Sequence, residues 1–329
     1  MIYVILHAEE AVYGAKMLKG QLHIISNARP VSEVLRDPSL DPEIRRKLLL
    51  IQDVRKFAFD SIGLKPNNNY TKYFDQKGKR LVYLVTACEP FALSAFEWEF
   101  PVLGRVPYKG FFNESDAVQE AERIRSLGYD TDIGGVSGWS TLGFFNDPIL
   151  SQMLNRNDGE LAELIIHELT HGTVFIKDEV ELNENLATFV GEKGAEWFLI
   201  NRYKNDTTKL HEYKSGNTDS KKISEFMLQS AKFLEQQYQA INLSAPLSSK
   251  RKIKKEAFDS IVITAKRLEL INDTVFADRF QKRLLKSGNT VFMHYVRYEA
   301  RQDDFEEIYK LKKNNLRAFV DEMRNRYEK

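Results

Sequence analysis

Two histidines stand four residues apart in the segment LAELIIHELTHGTVF, residues 161–175, and a glutamate directly follows the first. On a helix, positions i and i+4 share a face, so His167 and His171 can direct their imidazoles at one metal ion. Glu168 lies about a third of a turn away and can reach a water without ligating the metal. Zinc lowers the pKa of a bound water to about 7, and a carboxylate can accept its proton. The HExxH spacing therefore predicts a zinc site with its general base, although a core helix could carry two histidines by coincidence.

A third ligand is expected, because catalytic zinc is usually held by three protein side chains, and two His with one Glu form one such set. The downstream segment ELNENLATFVGEKGAEWF predicts a second amphipathic helix with Glu184 near its start. Its Asn-Glu-x-x-Ala arrangement, residues 183–187, resembles the second zinc motif of the gluzincin metallopeptidases, and that resemblance implies Glu184 as the third ligand. Twelve residues separate His171 from Glu184, fewer than is usual in gluzincins, so the connection between the helices must be tight.

Other carboxylates remain as alternatives for the third ligand. Asp178, Glu179 and Glu181 lie in the connection, and Glu192 falls two turns beyond Glu184 on nearly the same face. Glu192 ranks second as a ligand, or it supports a ligand through a hydrogen bond. Glu184 itself could instead be a surface carboxylate that the helix dipole favours. Iron, cobalt or manganese could also occupy a His₂Glu site in place of zinc.

The bulk composition indicates a globular protein without a nucleic-acid partner. The 329 residues allow one large domain or two. The chain carries 48 basic and 47 acidic residues, whereas nucleic-acid-binding domains usually have a basic excess. The single cysteine, Cys88, cannot form an internal disulfide. No apolar run reaches the roughly 18 residues of a membrane span, so MIYVIL at the start is interpreted as the beginning of a strand or helix, or as the remnant of an upstream anchor.

The sequence patterns of the elements that must position these residues predict an α+β fold, mostly α. In residues 79–145, RLVYLVTA predicts a strand, FPVLGRVPYKGFF a bent or edge strand, and SDAVQEAERIRSLGY a helix with Ser115 as its N-cap. Asp41 or Asp37 is expected to cap a helix in DPEIRRKLLLIQDVRKF. Polar stretches near 201–224 and 243–261 are expected to interrupt the later helices. We therefore predict a helical part over 1–78, a zincin-like catalytic core with a small antiparallel sheet and the HExxH helix over 79–200, and a helical part over 201–329, or one continuous catalytic unit.

Nearly the whole chain resembles a bacterial family of predicted aminopeptidases, zinc peptidases of gluzincin-like type. The stretches that match, in the family's order, are GQLHIISNARPVSEVLRDPSL, ACEPFALSAFEWEFPVLGRVPYKGFF, VSGWSTLGFFNDPIL, HELTHGTVFIKDEVELNENLATFVGEKG and GNTVFMHYVRY. The resemblance implies a Zn²⁺ cofactor, a peptide substrate and aminopeptidase activity. Because family members often begin with a lipoprotein signal or a membrane anchor, it also implies a place in the cell envelope or periplasm, or in the cytoplasm if the given start is the true one.

The resemblance also implies residues that would hold the reacting peptide. Tyr298 in HYVRY matches a family tyrosine and is predicted to donate a hydrogen bond to the oxyanion, with His294 in reserve. Asn289 matches as well and is expected to shape the pocket. For Tyr298 and His294, packing in the core is the alternative.

An exposed edge strand is expected to pair with an extended peptide, as zincin clefts commonly allow. The segment GGVSGWSTLG, residues 134–143, fits such a strand because its glycines allow close approach of another backbone. A plain glycine-rich turn is the alternative. The predicted substrate-binding residues of this segment are Gly138, Trp139, Ser140 and Thr141. The family shows Ala-Tyr where this chain has Gly138 and Trp139, so no tyrosine role is transferred to that position.

An aminopeptidase must also bind a free α-amine, and two loop carboxylates are eligible, Glu89 in ACEPF and Asp147 in FNDP. One rival interpretation is a zinc endopeptidase or amidase with a cleft open at both ends. Another is a non-catalytic, zinc-containing binding protein of the cell envelope, and a third is a metal-free helical interaction module. A retained Glu168 argues against the second, because a structural zinc site has no use for a base.

Overall fold

The computed structural model of the chain describes residues 8–100, 104–135, 146–177, 179–204, 206–242, 244–298 and 302–327. For residues 8–11, 180–181, 294, 296–298 and 302–303 it describes the backbone alone. Helices account for 63% of the chain, and the strands form small sheets. This confirms the predicted fold class, α+β and mostly α, while the zincin-like character of the core stays a prediction.

The described residues form twelve α-helices, in chain order α1 (Ala8–Asn27), α2 (Val31–Val34), α3 (Pro42–Phe57), α4 (Glu114–Ser126), α5 (Asp158–His171), α6 (Val180–Tyr203), α7 (Thr208–Gln239), α8 (Leu247–Ala265), α9 (Phe276–Ser287), α10 (Thr290–Tyr298), α11 (Gln302–Leu311) and α12 (Leu316–Tyr327). The strands are β1 (Arg29–Pro30), β2 (Lys72–Phe74), β3 (Tyr83–Cys88), β4 (Trp98–Phe100), β5 (Gly104–Val106), β6 (Lys109–Phe111), β7 (Asp130–Gly135) and β8 (Ile149–Leu150). Among the helices of these described ranges, none is both long and apolar enough to cross a lipid bilayer.

Contacts between residues divide the chain into two compact units, each made of three segments. The first unit comprises Met1–Lys19, Arg80–Val136 and Ser215–Arg297, and the second comprises Gly20–Lys79, Ser137–Lys214 and Tyr298–Lys329. The boundaries predicted at 78 and 200 stay a prediction.

In the first unit, β3 is the centre of an antiparallel sheet with the order β6-β3-β7, in which Val85 is paired with Lys109 and Ile133. Helix α4 packs against this sheet through Ala117, Ala121 and Ile124, which share one face at helical spacing. Helices α7 to α10 bury an aromatic core that contains four phenylalanines with T-shaped or stacked contacts. These are Phe226, Phe276, Phe280 and Phe292.

Of two predicted helix N-caps, one is confirmed and the other is wrong. Asp41 does cap α3, since its carboxylate accepts hydrogen bonds from the backbone N–H groups of Glu43 and Ile44. Ser115 does not cap α4. Asn113 is the N-cap and accepts hydrogen bonds from both the N–H and the hydroxyl of Ser115. Asn is as good an N-cap as Ser, so the helix begins two residues earlier than predicted.

The predicted helix interruptions exist but are much shorter than predicted, since α6 ends at Tyr203 and α7 begins at Thr208. Helix α7 runs without a break from Thr208 to Gln239, and α8 begins at Leu247. Most polar residues there are exposed, while residues such as Tyr213 and Met227, fourteen positions apart, are buried on one face of the helix.

The second unit carries a three-stranded sheet with the order β1-β2-β8, in which β2 pairs antiparallel with β1 and parallel with β8. Helix α3 contributes a fully buried face, formed by Leu48, Leu50, Ile51 and Val54. It packs against α5, the helix that holds HELTH, and α5 in turn packs along α6.

Candidate metal centre

The helix that carries both histidines begins at a capping box. The Asn157 side-chain oxygen accepts a hydrogen bond from the Glu160 N–H at 2.9 Å, and the Glu160 carboxylate accepts one from the Asn157 N–H at 3.1 Å. The two bonds pair N–H groups that a helix start otherwise leaves without partners. The sequence analysis missed this cap, although Asn followed by Glu three residues later is its ordinary signal.

Asp158 anchors the first turn of the same helix. Its carboxylate is 1% exposed and lies 2.9 Å from the Lys47 Nζ and 2.8 Å from the Arg46 Nη1, and it accepts a hydrogen bond from the Tyr203 hydroxyl at 2.5 Å. Burial alone would raise its pKa, but the bonds from Arg46, Tyr203 and Lys47 outweigh burial and hold the pKa of Asp158 well below its ordinary value. The start of α5 is therefore fixed to both α3 and α6.

Helices α5 and α6 approach closely because glycines of α6 face α5. A Cβ on Gly191 would lie 3.1 Å from the Glu163 carbonyl oxygen and 3.3 Å from the His167 Cβ. A Cβ on Gly194 would lie 3.0 Å from the Ile166 Cδ1. Glycine allows this approach of one backbone to another, and the approach brings the start of α6 within reach of the histidines.

Asn183 closes the short connection between the two helices. Its side-chain oxygen accepts a hydrogen bond from the Ile176 N–H at 2.8 Å, and its side-chain nitrogen donates one to the Ile176 carbonyl at 2.7 Å. The buried amide thus pairs with both backbone groups of one residue, which holds the turn shut. This is how a separation of only twelve residues brings the next residue, Glu184, to the histidines.

The three predicted ligands lie together. The Nε2 atoms of His167 and His171 are 3.2 Å apart, the Glu184 Oε2 is 3.4 Å from the first, and the Glu184 Oε1 is 3.5 Å from the second. A tetrahedral zinc with bonds of about 2.0–2.1 Å requires its ligand atoms to be about 3.3 Å apart. The donor types and their separations therefore fit zinc, and His₂Glu leaves a fourth position for a non-protein ligand.

The alternative ligands are not part of this group among the described residues, where His167, His171 and Glu184 form the one cluster with metal-ligand spacing. Glu179 is exposed, and Glu192 acts electrostatically on Glu163. Asp178 lies outside the described residues, and of Glu181 only the backbone is described.

The three residues of this cluster differ in the direction of their pKa shifts. Burial and the neighbouring His167 lower the pKa of His171 to about 4, so its imidazole is neutral. Burial opposes charge on His167 as well, but its hydrogen bond with Glu184 and the carboxylates of Glu168, Glu184 and Glu163 raise its pKa. Burial would raise the pKa of Glu184, but the hydrogen bond from His167 lowers it. His171 and Glu184 thus have the protonation states that metal ligands need, and a metal would displace the proton of His167.

Glu168 is half-buried, and its pKa is raised. Burial is the largest cause, and the carboxylates of Glu184 and Asp147 add to it, while His167 and Arg156 oppose it. A raised pKa brings a carboxylate nearer to the range in which it can both accept and donate a proton at neutral pH.

A second carboxylate on α5, Glu163, was missed by the sequence analysis. It lies one turn before His167 and accepts a hydrogen bond from the Tyr213 hydroxyl at 2.7 Å. Burial, with a smaller contribution from Glu192, raises the pKa of Glu163 to about 7. Spacing of i−4 from the first histidine was the signal that could have identified it.

Comparison with known proteins agrees with the family resemblance. A model of the family described as "Putative aminopeptidase" matches residues 12–328. The chain belongs to this family. No curated protein and no solved structure matches the chain significantly. A peptidase of this aminopeptidase family would act on peptide substrates.

Most of the remaining predicted residues of this family member lie where the structure does not describe side chains. Gly138, Trp139, Ser140 and Thr141 lie outside the described residues. Tyr298 is the last residue of α10, which also contains His294, but their side chains are not described. The roles of these residues stay predictions.

Asn289 is fully buried in the first unit, and its amide is occupied. Its side-chain oxygen accepts a hydrogen bond from the Tyr238 hydroxyl at 2.8 Å, and its side-chain nitrogen donates to the Glu89 carbonyl at 2.8 Å. Its backbone N–H donates to Asp130 at 2.7 Å. This network ties the family-matching stretches ACEPF and GNTVF together, while a contact between Asn289 and substrate stays a prediction.

Proposed function

We propose that the protein is a zinc-dependent aminopeptidase, which hydrolyses the first peptide bond of peptides with a free N-terminus. The single observation that carries this proposal is the set of separations of 3.2, 3.4 and 3.5 Å among the nitrogen and oxygen atoms of His167, His171 and Glu184. These separations are close to those of a tetrahedral zinc site, and one ligand atom from each of the three residues lies within 4.8 Å of the other two. Membership of the aminopeptidase family supports peptides as the substrate class.

In this proposal, His167 and His171 hold the zinc through Nε2, and Glu184 holds it through a carboxylate oxygen. The bound zinc supplies Lewis-acid chemistry, which makes a water more acidic and a carbonyl more electrophilic. Glu163 lies one turn before His167 and adds a further carboxylate beside the ligands. The close helix packing at Gly191 and the hydrogen bonds between Asn183 and Ile176 keep Glu184 opposite the two histidines.

Glu168 is the general base. Its carboxylate accepts a proton from the attacking water, and the raised pKa of Glu168 makes the neutral acid stable enough to form. The same group then returns the proton to the nitrogen of the leaving amine, so that the product departs as a neutral amine. A carboxylate with an ordinary pKa would be the weaker proton carrier at neutral pH.

For the α-amine of the substrate we propose Asp147 rather than Glu89. Asp147 acts electrostatically on Glu168 and belongs to the same unit as the three ligands. Glu89 belongs to the first unit, where its carbonyl bonds to Asn289. A carboxylate near the base offsets the positive charge of an ammonium group.

A zinc endopeptidase or amidase is the second candidate, because the same ligands and base serve both reactions. Rates on a peptide and on its N-acetylated form distinguish the two. Loss of activity on acetylation supports the aminopeptidase, and equal rates support the endopeptidase.

Zinc per chain, measured by elemental analysis, tests the metal site. The purified protein is compared with Glu184→Ala and with Glu179→Ala, an exposed glutamate of the connection that serves as the matched control. We expect about one zinc per chain in the parent and in Glu179→Ala, and less than a tenth of that in Glu184→Ala.

Two other results would contradict the assignment. Full zinc in Glu184→Ala would show that another residue is the third ligand, with Glu192 the next to test. No zinc in the parent protein, after zinc is supplied and the excess removed, would exclude the zinc peptidase.

A further inference from the structure

A cavity of about 360 Å³ lies in the first unit of the chain. The loop after β3 lines it with residues 89–91, the turn after α4 with residues 127–129, and the start of α8 with Leu247 and Arg251. The two residues of α8 are four positions apart and therefore share a face of the helix. All these residues belong to the first unit, whereas the three candidate metal ligands belong to the second. The volume is in the range of small-molecule sites, at its lower end.

The loop after β3 is fixed by hydrogen bonds to its backbone. The Glu89 carbonyl accepts a hydrogen bond from the Asn289 side chain at 2.8 Å, and the Glu89 N–H donates one to the Ser94 carbonyl at 2.9 Å. The Pro90 carbonyl accepts one from the Lys254 Nζ, also at 2.9 Å. This wall of the cavity is therefore formed before any ligand binds, which lowers the entropic cost of binding.

The cavity also offers apolar surface to a ligand. Leu127 is 59% exposed and Leu247 is 53% exposed, so much of each side chain is in contact with water. Phe91 and Tyr129 add aromatic surface, and a T-shaped contact with Tyr238 fixes the Phe91 ring. An apolar group that covers these side chains would remove them from water, which is favourable.

Two opposite charges line the same cavity, and both are available to a ligand. Within the part of the chain that the structure describes, neither the Glu89 carboxylate nor the Arg251 guanidinium has a hydrogen bond or an ion pair. Three lysines of the same helix differ from Arg251 in this respect, because each pairs with a carboxylate of the chain. They are Lys252, Lys254 and Lys255.

We propose that this cavity binds a free α-amino acid with an apolar side chain, such as leucine. The Glu89 carboxylate binds the α-ammonium group. The Arg251 guanidinium binds the α-carboxylate, whose planar shape matches its paired N–H groups. The apolar side chain of the ligand lies against Leu127 and Leu247.

A single amino acid suits this site better than a longer peptide does. Each added residue of an extended peptide moves its charged ends about 3.3–3.6 Å further apart, whereas Glu89 and Arg251 line one small cavity. Because the cavity shares no residue with the candidate metal centre, binding of an amino acid there does not depend on the proposed function.

An NMR titration of the full chain with L-leucine tests the site. We expect a Kd on the order of 1 mM or tighter for the parent. Glu89→Gln and Arg251→Gln each remove one charge and should weaken binding at least about tenfold. The matched controls are Glu97→Gln and Lys252→Gln, which change exposed residues of the same unit that do not line the cavity. Their Kd should stay within about twofold of the parent, and all four variants should keep the parental Tm.

Two leucine analogues assign each charge of the ligand to its partner. N-acetylleucine lacks the ammonium group, and leucinamide lacks the carboxylate, so each should bind the parent at least about tenfold more weakly than leucine. In Glu89→Gln, acetylation should cost little further affinity, and in Arg251→Gln the same should hold for amidation. These are the double-mutant cycles expected of two direct contacts.

Four results would overturn the proposal. The first is no binding to the parent at leucine concentrations about ten times the expected Kd. The second is parental affinity in both Glu89→Gln and Arg251→Gln. The third is loss of leucine binding in Glu184→Ala, which would place the ligand at the candidate metal centre. The fourth is tighter binding of trileucine than of leucine to the parent, which would indicate a peptide site.

Discussion

The two ends of α5 treat buried charge in opposite ways. At its start, Asp158 has three partners supplied by the chain, from Arg46, Lys47 and Tyr203, and its pKa is lowered. At its end, the pKa of Glu168 is raised, because burial and neighbouring carboxylates outweigh the nearby cations. The negative charge of Asp158 is therefore balanced by neighbouring cations, whereas the surroundings of Glu168 carry a surplus of negative charge.

This difference indicates where the helix is structural and where it is chemical. A buried carboxylate with its own cations contributes to holding helices together. A cluster of two imidazoles and several carboxylates, short of positive charge, is the environment that a bound dication completes. Glu163, with a pKa of about 7, belongs to the incomplete end. Variants at the two ends of α5 should distinguish an effect on the free energy of unfolding from an effect on catalysis.

The largest effect is expected for Glu168→Gln at the chemical end. Loss of the general base should lower kcat/KM by about 10²- to 10⁴-fold. The free energy of unfolding should not fall, since a half-buried carboxylate with a raised pKa becomes a neutral amide. Peptide hydrolysis and urea unfolding measure the two quantities. Glu160→Gln, on the exposed first turn of the same helix, is the control, because Gln also serves in a capping box. Retained activity in Glu168→Gln would place the base elsewhere.

Asp158→Asn should have the opposite outcome at the structural end. It leaves Lys47, 5% exposed, without its carboxylate, and breaking a buried pair in this way costs about 3 kcal/mol of stability or more. Rates per folded molecule should stay within about twofold of the parent. The control is Asp53→Asn, whose ion pair with Arg202 is much more exposed and should contribute less than about 1 kcal/mol. Equal effects of the two variants would show that the start of α5 is not specially anchored.

Asn289→Ala tests whether the first unit contains a second structural cluster or a substrate contact. Removal of the amide leaves the Tyr238 hydroxyl and the Glu89 carbonyl without this partner, so we expect a loss of about 2 kcal/mol with KM unchanged. Asn272→Ala, at an exposed position of the same unit, is the control. A raised KM at parental stability would instead establish the contact with substrate that the family resemblance predicts.

The smallest expected effect is the change with pH in the stabilisation that Asp158 contributes. The pKa of Asp158 is lower in the folded protein than its ordinary value of 3.8, so the unfolded chain binds the proton more readily. Its stabilisation is therefore complete well above pH 3.8 and is lost as the pH falls through 3.8 and below, by at most about 1.4 kcal/mol per pH unit. The difference in unfolding free energy between the parent and Asp158→Asn, measured at pH 5 and pH 3, should narrow at pH 3. A constant difference would mean that the charge of Asp158 does not contribute.

The mostly helical fold followed from periodicity, and so did the helices that bring together the candidate ligands. Where the predictions failed, a local competition decided the result. Asn113 and Ser115 are both good caps, and only the backbone path selects the first. The polar stretch after residue 207 reads as a loop by composition, but its hydrophobic residues recur at helical spacing and are buried, so a helix forms.

The sequence by itself determined the chemistry of α5, because i, i+4 spacing on a helix is a local property that places two imidazoles on one face whatever the rest of the chain does. It also identified Glu184 as the candidate partner. Only the tertiary structure decided what surrounds them. Lys47 lies more than a hundred residues before its partner Asp158, and Tyr213 lies fifty residues after its partner Glu163. Such pairs form when distant segments pack together, and no periodicity in the sequence records which segments will meet.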